Sequence, residues 1–450
     1  MSLPVVDSCC SRNTSPAFEP SELSPGSSTN PSASHENISS SQPVHFAGNR
    51  ATCPFASASS PDMPTLAVGN GDGGHKKLYY ADYLRLDQVL NAQNPISFMK
   101  GNPCHDEMLF IVIHQTYELW FKQLLFELDT VRAVLAALNI GEKLISLALH
   151  RLTRIREILK LLNDQMRVLE TMSPQEFLEF RDYLFPASGF QSFQFRLLEI
   201  RLGVRPQDRV NGRWIKGLSP EHQHVVREAQ QEPSLFDYVE RWLRNIPFRE
   251  YRGYNFQKSY ESAITRMFEI ERRTILTKLE PADRGAMLAE LSNTYKTFES
   301  VFKREVHEEL IKTEKRRMGF RATSASLMIT LYQEEPMFQL PARFLQMLVD
   351  VDEQLNRWRH AHSQMVHRMI GIKAGTGGSL GHNYLKRTVD SQRVFSDLAN
   401  LSTLLIPRRL LPPLPSVLRD QMRYFHSVEM YDRTMFEVGG GGDEIDWSFC

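Results

Sequence analysis

Three long stretches of this chain repeat apolar residues at alternating spacings of four and three. This spacing places the apolar side chains along one face of a helix, and several such faces bury one another when helices pack side by side. No internal repeat and no alternating strand pattern accompanies them, so the sequence predicts an all-α helical bundle. The three stripes are Phe110, His114, Tyr117, Phe121, Leu124, Leu128, Val131 and Leu135; Ile145, Ala148, Leu152, Ile155, Leu159, Leu162, Met166 and Leu169; and Leu348, Val351, Leu355, Trp358, His362, Met365 and Met369.

A shorter helix is predicted after the second stripe. Ser173 suits the position before a helix, Pro174 suits its first residue, and Glu176 can complete a capping box with Ser173. Pro186 and Gly189 interrupt the pattern, so the helix should end near them.

The two ends of the chain differ in composition from its middle. Residues 1–76 are rich in Ser, Pro, Asn and Gly and show no sustained periodicity, so we expect a disordered tail. We expect a helical domain over 77–435, with a polar surface excursion at about 205–235, and a second loose tail over 436–450.

The overall charge gives no support to some classes of partner. The 450 residues hold 53 basic and 53 acidic side chains, which gives no argument for binding nucleic acid or an anionic membrane. The longest apolar run, around "MLFIVI", is far shorter than the ~18 residues that a membrane span needs. The five cysteines form no disulfide framework, so we expect a soluble cytoplasmic protein.

Three histidines crowd the end of the third stripe, but helical geometry separates them. Each residue of a helix turns by about 100°, so His360 and His362 point to nearly opposite faces. Two helical histidines that chelate one metal need the i, i+4 spacing, which no pair among His360, His362 and His367 has. Only His362 lies on the apolar stripe.

His114 interrupts the first stripe in the same way. Two readings stay open for His114 and His362. They could be core imidazoles whose nitrogens are satisfied by hydrogen bonds. Alternatively, a flat cofactor such as haem could lie between the helices, with one histidine as axial ligand and the other facing its opposite side. Periodicity does not assign the two roles.

Other polar side chains admit two readings each. Arg181 could be a surface arginine, or its guanidinium could bind a carboxylate through two parallel hydrogen bonds. Thr376 lies in the glycine-rich loop "KAGTGGS", which is not a phosphate-binding P-loop but allows close backbone approach to a ligand. Tyr80 and Tyr83 could dock a terminal helix onto the core or wall a pocket.

Four blocks of the sequence resemble the tryptophan 2,3-dioxygenase family. They are "YYADYLRLDQVLNAQ", "HDEMLFIVIHQTYELWFKQLLFELD", "FRDYLFPASGFQSFQFRLLE" and "HRMIGIKAGTGGS", and they occur in the order expected for the family. The resemblance extends over roughly 78–430. Blocks this long and this numerous are far more specific than any single motif.

The resemblance implies an all-helical haem enzyme with haem b, one per subunit and ferrous when active. It implies a homotetramer, a dimer of dimers, that binds neither nucleic acid nor membrane. The implied reaction cleaves the indole 2,3 bond of L-tryptophan with dioxygen and yields N-formyl-L-kynurenine. This reaction is the first step of tryptophan degradation by the kynurenine pathway.

The resemblance also implies roles for individual residues. His362 would be the proximal ligand of the haem iron. His114 would be the catalytic residue and would lie on the distal side, where it bonds the indole N–H. Arg181 would clamp the substrate carboxylate. The other implied substrate contacts are Phe110, Ile111, Val112, Ile113, Phe177 and Thr376, together with Tyr80 and Tyr83 contributed by a neighbouring subunit.

One position departs from the family's pattern. The glycine-rich loop is expected to continue with a second serine after Ser379, where this chain has Leu380. Two alternatives to the enzyme stay open: a catalytically silent haem sensor of the same fold, and a haem-free helical scaffold with two core histidines. A sensor has no use for a carboxylate clamp, so Arg181, Thr376 and His114 favour the enzyme.

Overall fold

The computed structural model describes residues 78–209, 212–373, 375 and 382–422. In this part of the chain the regular structure is helical except for one two-stranded hairpin, which confirms the predicted all-α class. None of the helices described there is long and apolar enough to cross a membrane. The predicted tails at 1–76 and 436–450, and Thr376 and Leu380, lie outside the described residues.

The elements follow one another along the chain with short connections. The α-helices are α1 Tyr80–Leu84, α2 Leu86–Val89, α3 Ile96–Met99, α4 His105–Ala136, α5 Glu142–Leu169, α6 Pro174–Arg181, α7 Phe193–Leu202, α8 Pro220–Gln231, α9 Leu235–Arg244, α10 Phe256–Lys278, α11 Pro281–Phe302, α12 Arg304–Lys312, α13 Phe320–Leu331, α14 Pro336–Ile370, α15 His382–Ser391, α16 Ser396–Ala399 and α17 Ser416–Gln421. Short 3-10 helices span Asp182–Leu184, Gly189–Gln191, Pro206–Asp208, Gly212–Gly217, Asn400–Leu404 and Arg408–Leu410. The antiparallel strands are β1 Glu250–Tyr251 and β2 Tyr254–Asn255.

The three predicted stripes become the three longest helices, α4, α5 and α14. Helix α5 packs against both α4 and α14. Stripe residues such as Leu128, Leu152 and Leu348 have no exposed surface. Burial of such side chains is worth about 1.5–3 kcal/mol each, so the stripes supply much of the energy that holds the bundle together.

The ends of α14 and α6 follow from local residue chemistry. Pro336 opens α14, and Gly371 ends it at a φ of 58°, a value that other residues rarely adopt. At α6 the Ser173 hydroxyl accepts a hydrogen bond from the Glu176 amide at 3.2 Å, and the Glu176 carboxylate accepts one from the Ser173 amide at 2.6 Å. The predicted capping box is therefore confirmed.

The stretch at 205–235, predicted as a polar excursion, carries two 3-10 helices and α8. Its inner side is apolar, because Trp214, Leu218 and Val226 are buried and belong to the main core. Helix α8 packs on α7. The excursion is therefore tied to the bundle on one side, while polar side chains of α8 such as Glu221, Arg227 and Glu228 are exposed.

Candidate active site

A cavity of about 310 Å³ opens among α4, α6, α7 and α14. Its wall includes one histidine from each of two predicted stripes, His114 from α4 and His362 from α14. Packing of α4 and α14 around α5 thus brings together two side chains that are far apart in the sequence. His360 and His367, the off-stripe histidines, are exposed and do not line the cavity.

Aromatic rings form the wall around His114. The Phe110 ring centroid lies 4.1 Å from that of His114, 5.9 Å from that of Phe177 and 5.5 Å from that of Phe180. Phe180 has no exposed surface, so it anchors the other rings to the core. This arrangement suits a flat aromatic ligand, since aromatic rings prefer offset and edge contacts with one another.

The tautomer of His114 follows from its hydrogen bond. Its Nδ1 atom lies 2.6 Å from the Phe110 carbonyl oxygen, and a carbonyl can only accept, so Nδ1 carries the proton. Burial lowers the pKa of His114, although its cavity-facing surface is accessible. The neutral ring therefore offers the lone pair of Nε2.

His362 is also a neutral imidazole. Burial, and secondarily the nearby His114, lower its pKa to about 4. Its ring stacks on the Trp358 ring, with centroids 5.1 Å apart and planes 5° apart. Met365, on the same helix, adds an apolar contact surface to the wall. A neutral imidazole in an apolar wall is the form that binds a metal ion.

Arg181 reaches the cavity from the last residue of α6, close to Phe177. Gly375 also lines the cavity, and Thr376 follows it directly in the chain but lies outside the described residues. A guanidinium at the cavity wall can clamp a carboxylate through two parallel hydrogen bonds.

A buried charge cluster borders the cavity on the α7 side. The Glu199 carboxylate lies 3.0 Å from Arg196, 3.2 Å from Arg209 and 3.2 Å from Arg359. Burial alone would raise the pKa of Glu199, but the three guanidinium charges outweigh it and lower the pKa to about 2. Three cations around one anion leave this cluster positively charged.

The structure does not bring every predicted contact to the cavity. Ile113 lines it, whereas Ile111 and Val112 do not, because successive residues of α4 point in directions about 100° apart. Tyr80 and Tyr83 are 71% and 70% exposed and also lie outside the cavity wall of their own chain.

Sequence reasoning gave no role to several cavity residues: Arg196, Glu199, Arg359, and Trp358 beyond its stripe position. A signal existed in α7, where Arg196 and Glu199 stand three residues apart on either side of the apolar pair Leu197 and Leu198. Buried charges need partners, so such a pair indicates a charge network.

The side chains around the cavity indicate what kind of metal-containing cofactor it could hold. Within the described ranges, no three His, Cys, Asp or Glu side chains converge on a point that could hold a metal ion. Iron in a porphyrin carries most of its own ligands, so a single side chain such as His362 is enough to bind it. The positively charged cluster also fits a cofactor that carries carboxylates.

Comparison with known proteins decides the family. A family model described as tryptophan 2,3-dioxygenase matches residues 66–405. The chain belongs to the tryptophan 2,3-dioxygenase family. The tryptophan 2,3-dioxygenase of Bdellovibrio bacteriovorus is 42% identical over 354 residues, which cover 78% of this chain and 99% of that protein. That of Xenopus tropicalis is 45% identical over 365 residues, covering 80% and 89%.

The similarity reaches distant organisms. The tryptophan 2,3-dioxygenase of Dictyostelium discoideum is 40% identical over 379 residues, covering 82% of this chain and 95% of that protein. The resemblance read from the four sequence blocks is therefore confirmed, and so is the prediction of a dioxygenase enzyme that cleaves tryptophan.

Proposed function

We propose that the cavity holds haem b, one per subunit and ferrous in the active enzyme, with His362 as the axial ligand of the iron. Two observations support this assignment. His362 is neutral and faces an apolar cavity. The positive cluster of Arg196, Arg359 and their neighbours matches the two propionate carboxylates that haem carries. Haem, when bound, supplies the activation of dioxygen.

The substrates are L-tryptophan and dioxygen, and the product is N-formyl-L-kynurenine. Both oxygen atoms enter the substrate as the indole 2,3 bond breaks, so no external reductant is consumed. The protein's own task is to bind the indole ring, orient it and exclude water. The aromatic wall of Phe110 and Phe177 supports this, since it offers flat surfaces to a flat substrate.

The polar ends of the substrate meet matching groups. The free Nε2 lone pair of His114 accepts the indole N–H, a role that the hydrogen bond from Nδ1 to Phe110 makes available. Arg181 binds the carboxylate of the substrate. Thr376, next to the cavity-lining Gly375, contacts the amino-acid end. A substrate analogue without these groups would leave buried polar atoms unpaired, which costs about 1–3 kcal/mol each.

The quaternary structure completes the site in this proposal. Tyr80 and Tyr83 are largely exposed on their own chain, and they belong to a group of exposed apolar side chains that includes Leu78 and Tyr79. Large exposed apolar patches mark interaction surfaces. The enzyme is a homotetramer, a dimer of dimers, in which Tyr80 and Tyr83 of each subunit close the cavity of a neighbour. It acts in the cytoplasm.

The single observation that carries the proposal is the presence of His114, His362 and Arg181 around one cavity. The test is an assay of the haem-loaded protein with L-tryptophan in air, which follows the near-ultraviolet absorbance of N-formylkynurenine. The expected result is product formation together with a Soret band that His362→Ala abolishes. A Soret band without product would identify a silent haem sensor. The absence of a Soret band after reconstitution with haem would exclude both the haem enzyme and the haem sensor.

A further inference from the structure

The Trp358 and His362 rings lie almost parallel inside the protein. The two residues are one turn apart on α14, their ring centroids are 5.1 Å apart, and their planes differ by only 5°. Neighbouring aromatic side chains on one helix are free to adopt many relative angles. A stack this close to parallel therefore indicates that something holds Trp358 in place.

Rings from two other helices hold Trp358. The Phe195 centroid on α7 lies 4.9 Å from it, and Phe121 on α4 meets it edge-on at 6.3 Å. Tyr117 on α4 lies 6.1 Å away, and its hydroxyl donates a hydrogen bond to the Leu162 carbonyl oxygen on α5 at 2.7 Å. Trp358 is therefore wedged among side chains that are themselves anchored, and it presents a rigid face to His362.

A hydrogen bond usually orients a ligating histidine, and no protein group in the described part of the chain supplies one to His362. Such a histidine commonly donates its second ring N–H to a carboxylate or carbonyl, which fixes the plane of the ring. His114 and His307 each bond a backbone carbonyl, at 2.6 Å to Phe110 and 3.0 Å to Met318. Across the described residues, no protein group makes a hydrogen bond to either nitrogen of His362.

We propose that Trp358 is a positioning residue for the haem ligand, and that its stacked ring takes the place of the missing hydrogen bond. This inference rests on the proposed function, in which His362 binds the haem iron. The stack blocks rotation of the imidazole about its bond to Cβ and so sets the ring plane.

The test compares Trp358→Leu, Trp358→Phe and Trp242→Leu in the haem-loaded full chain. Trp242 is the control, because it is also a tryptophan with an aromatic partner, packing edge-on against Phe344, but it is buried in the core and does not line the cavity. The readouts are the rate at which haem dissociates and the electron paramagnetic resonance lines of the ferric low-spin cyanide adduct, which report the angle of the axial imidazole.

We expect Trp358→Leu to release haem about tenfold faster, the lower end of the effect seen when a ligand's supporting partner is lost. Its resonance lines should broaden, because the imidazole then samples several angles. Trp358→Phe keeps an aromatic face and should restore most of both properties. Trp242→Leu should keep the parental rate and line shape despite its lost core packing. If Trp358→Leu does not fold, Trp358→Met replaces it with the same expectation.

Two results would overturn the inference. One is a folded Trp358→Leu protein with the parental dissociation rate and line shape. The other is equal acceleration in Trp358→Phe and Trp358→Leu, which would assign the effect to side-chain volume rather than to stacking. His362→Ala tests the proposed function separately. If His362→Ala keeps the parental Soret band, His362 is not the haem ligand and the proposed function fails. If His362→Ala loses the band and one of the two results above is found, only the role of Trp358 is overturned.

Discussion

The Nδ1 atom of His114 donates a hydrogen bond of 2.6 Å to the backbone carbonyl oxygen of Phe110, one helical turn earlier in α4. This bond fixes which nitrogen carries the proton before any ligand arrives, so Nε2 is left as an acceptor. Phe110 also packs against the His114 ring, with centroids 4.1 Å apart. One residue thus sets both the tautomer and the orientation of the His114 imidazole.

His114→Ala should lower kcat/KM for L-tryptophan by about 10- to 100-fold, the cost of one lost hydrogen bond to a buried group. The discriminating measurement repeats the assay with 1-methyl-L-tryptophan, which has no indole N–H. The parent and the variant should differ little on that substrate. A variant that is equally impaired on both substrates would show that His114 does not recognise the N–H.

Arg181→Lys should raise KM for L-tryptophan by roughly 10- to 100-fold, because an ammonium cannot reproduce the two parallel bonds of a guanidinium to a carboxylate. Steady-state kinetics with L-tryptophan give the effect. Arg357→Lys is a suitable control, since Arg357 is on α14 and is 67% exposed. Binding of tryptamine, which has no carboxylate, should be the same in the parent and in Arg181→Lys; a weaker affinity for tryptamine would contradict the clamp.

Two individually defective variants should complement each other if the site is shared between subunits. One carries Tyr80→Ala and Tyr83→Ala, and the other carries Arg181→Ala. When the two variants assemble at random into mixed tetramers, about a quarter of the sites combine an intact Arg181 from one subunit with intact Tyr80 and Tyr83 from its neighbour. Co-expression should therefore restore activity well above that of either parent. If the mixed tetramers are no more active than the mean of the two defective variants, then Tyr80 and Tyr83 do not contribute to the cavity of a neighbouring subunit.

Glu199→Gln should destabilise the fold by about 3–5 kcal/mol at pH 7, because it leaves three buried guanidinium groups without their anion. The effect should depend on pH in a defined direction. The folded-state pKa of Glu199 is about 2, below its ordinary 4.5. Its stabilisation is therefore complete above pH 4.5 and is lost as the pH falls toward 2.

Urea unfolding of the parent and of Glu199→Gln between pH 7 and pH 3 measures this difference. The difference in unfolding free energy between the parent and Glu199→Gln should become smaller below pH 4.5. Glu157→Gln is the matched control, because Glu157 pairs with Arg156 and Lys160 at the surface, where such pairs are worth about 0–1 kcal/mol. A difference that stays constant down to pH 3 would mean that folding does not lower the pKa of Glu199.

Ser173→Ala should cost about 1 kcal/mol of stability, the usual value of a lost N-cap. Helix α6 has only eight residues and carries both Phe177 and Arg181, so KM for L-tryptophan should also rise modestly. Chemical denaturation and steady-state kinetics check the two effects. Ser416→Ala is the control, since Ser416 begins α17 where no side chain caps the helix. Parental stability in Ser173→Ala would show that the capping box contributes little.

The sequence by itself determined the helices and their inward faces. Spacings of four and three place residues such as Leu128, Leu152 and Leu348 on one side of a helix whatever its neighbours are, and those side chains are buried as expected. The capping box at Ser173 was readable for the same reason, because it involves residues only three apart. Recognition of the family needed only the four long sequence blocks.

Only the tertiary structure decided which polar residues meet. Nothing local relates His114 to His362, and the two reach one cavity only because α4 and α14 both pack on α5. The charge cluster of Glu199 with Arg209 and Arg359, and the wedge that holds Trp358, likewise join residues from separate segments. Periodicity gives the direction in which a side chain leaves its own helix, whereas the distance between two side chains depends on how whole helices pack.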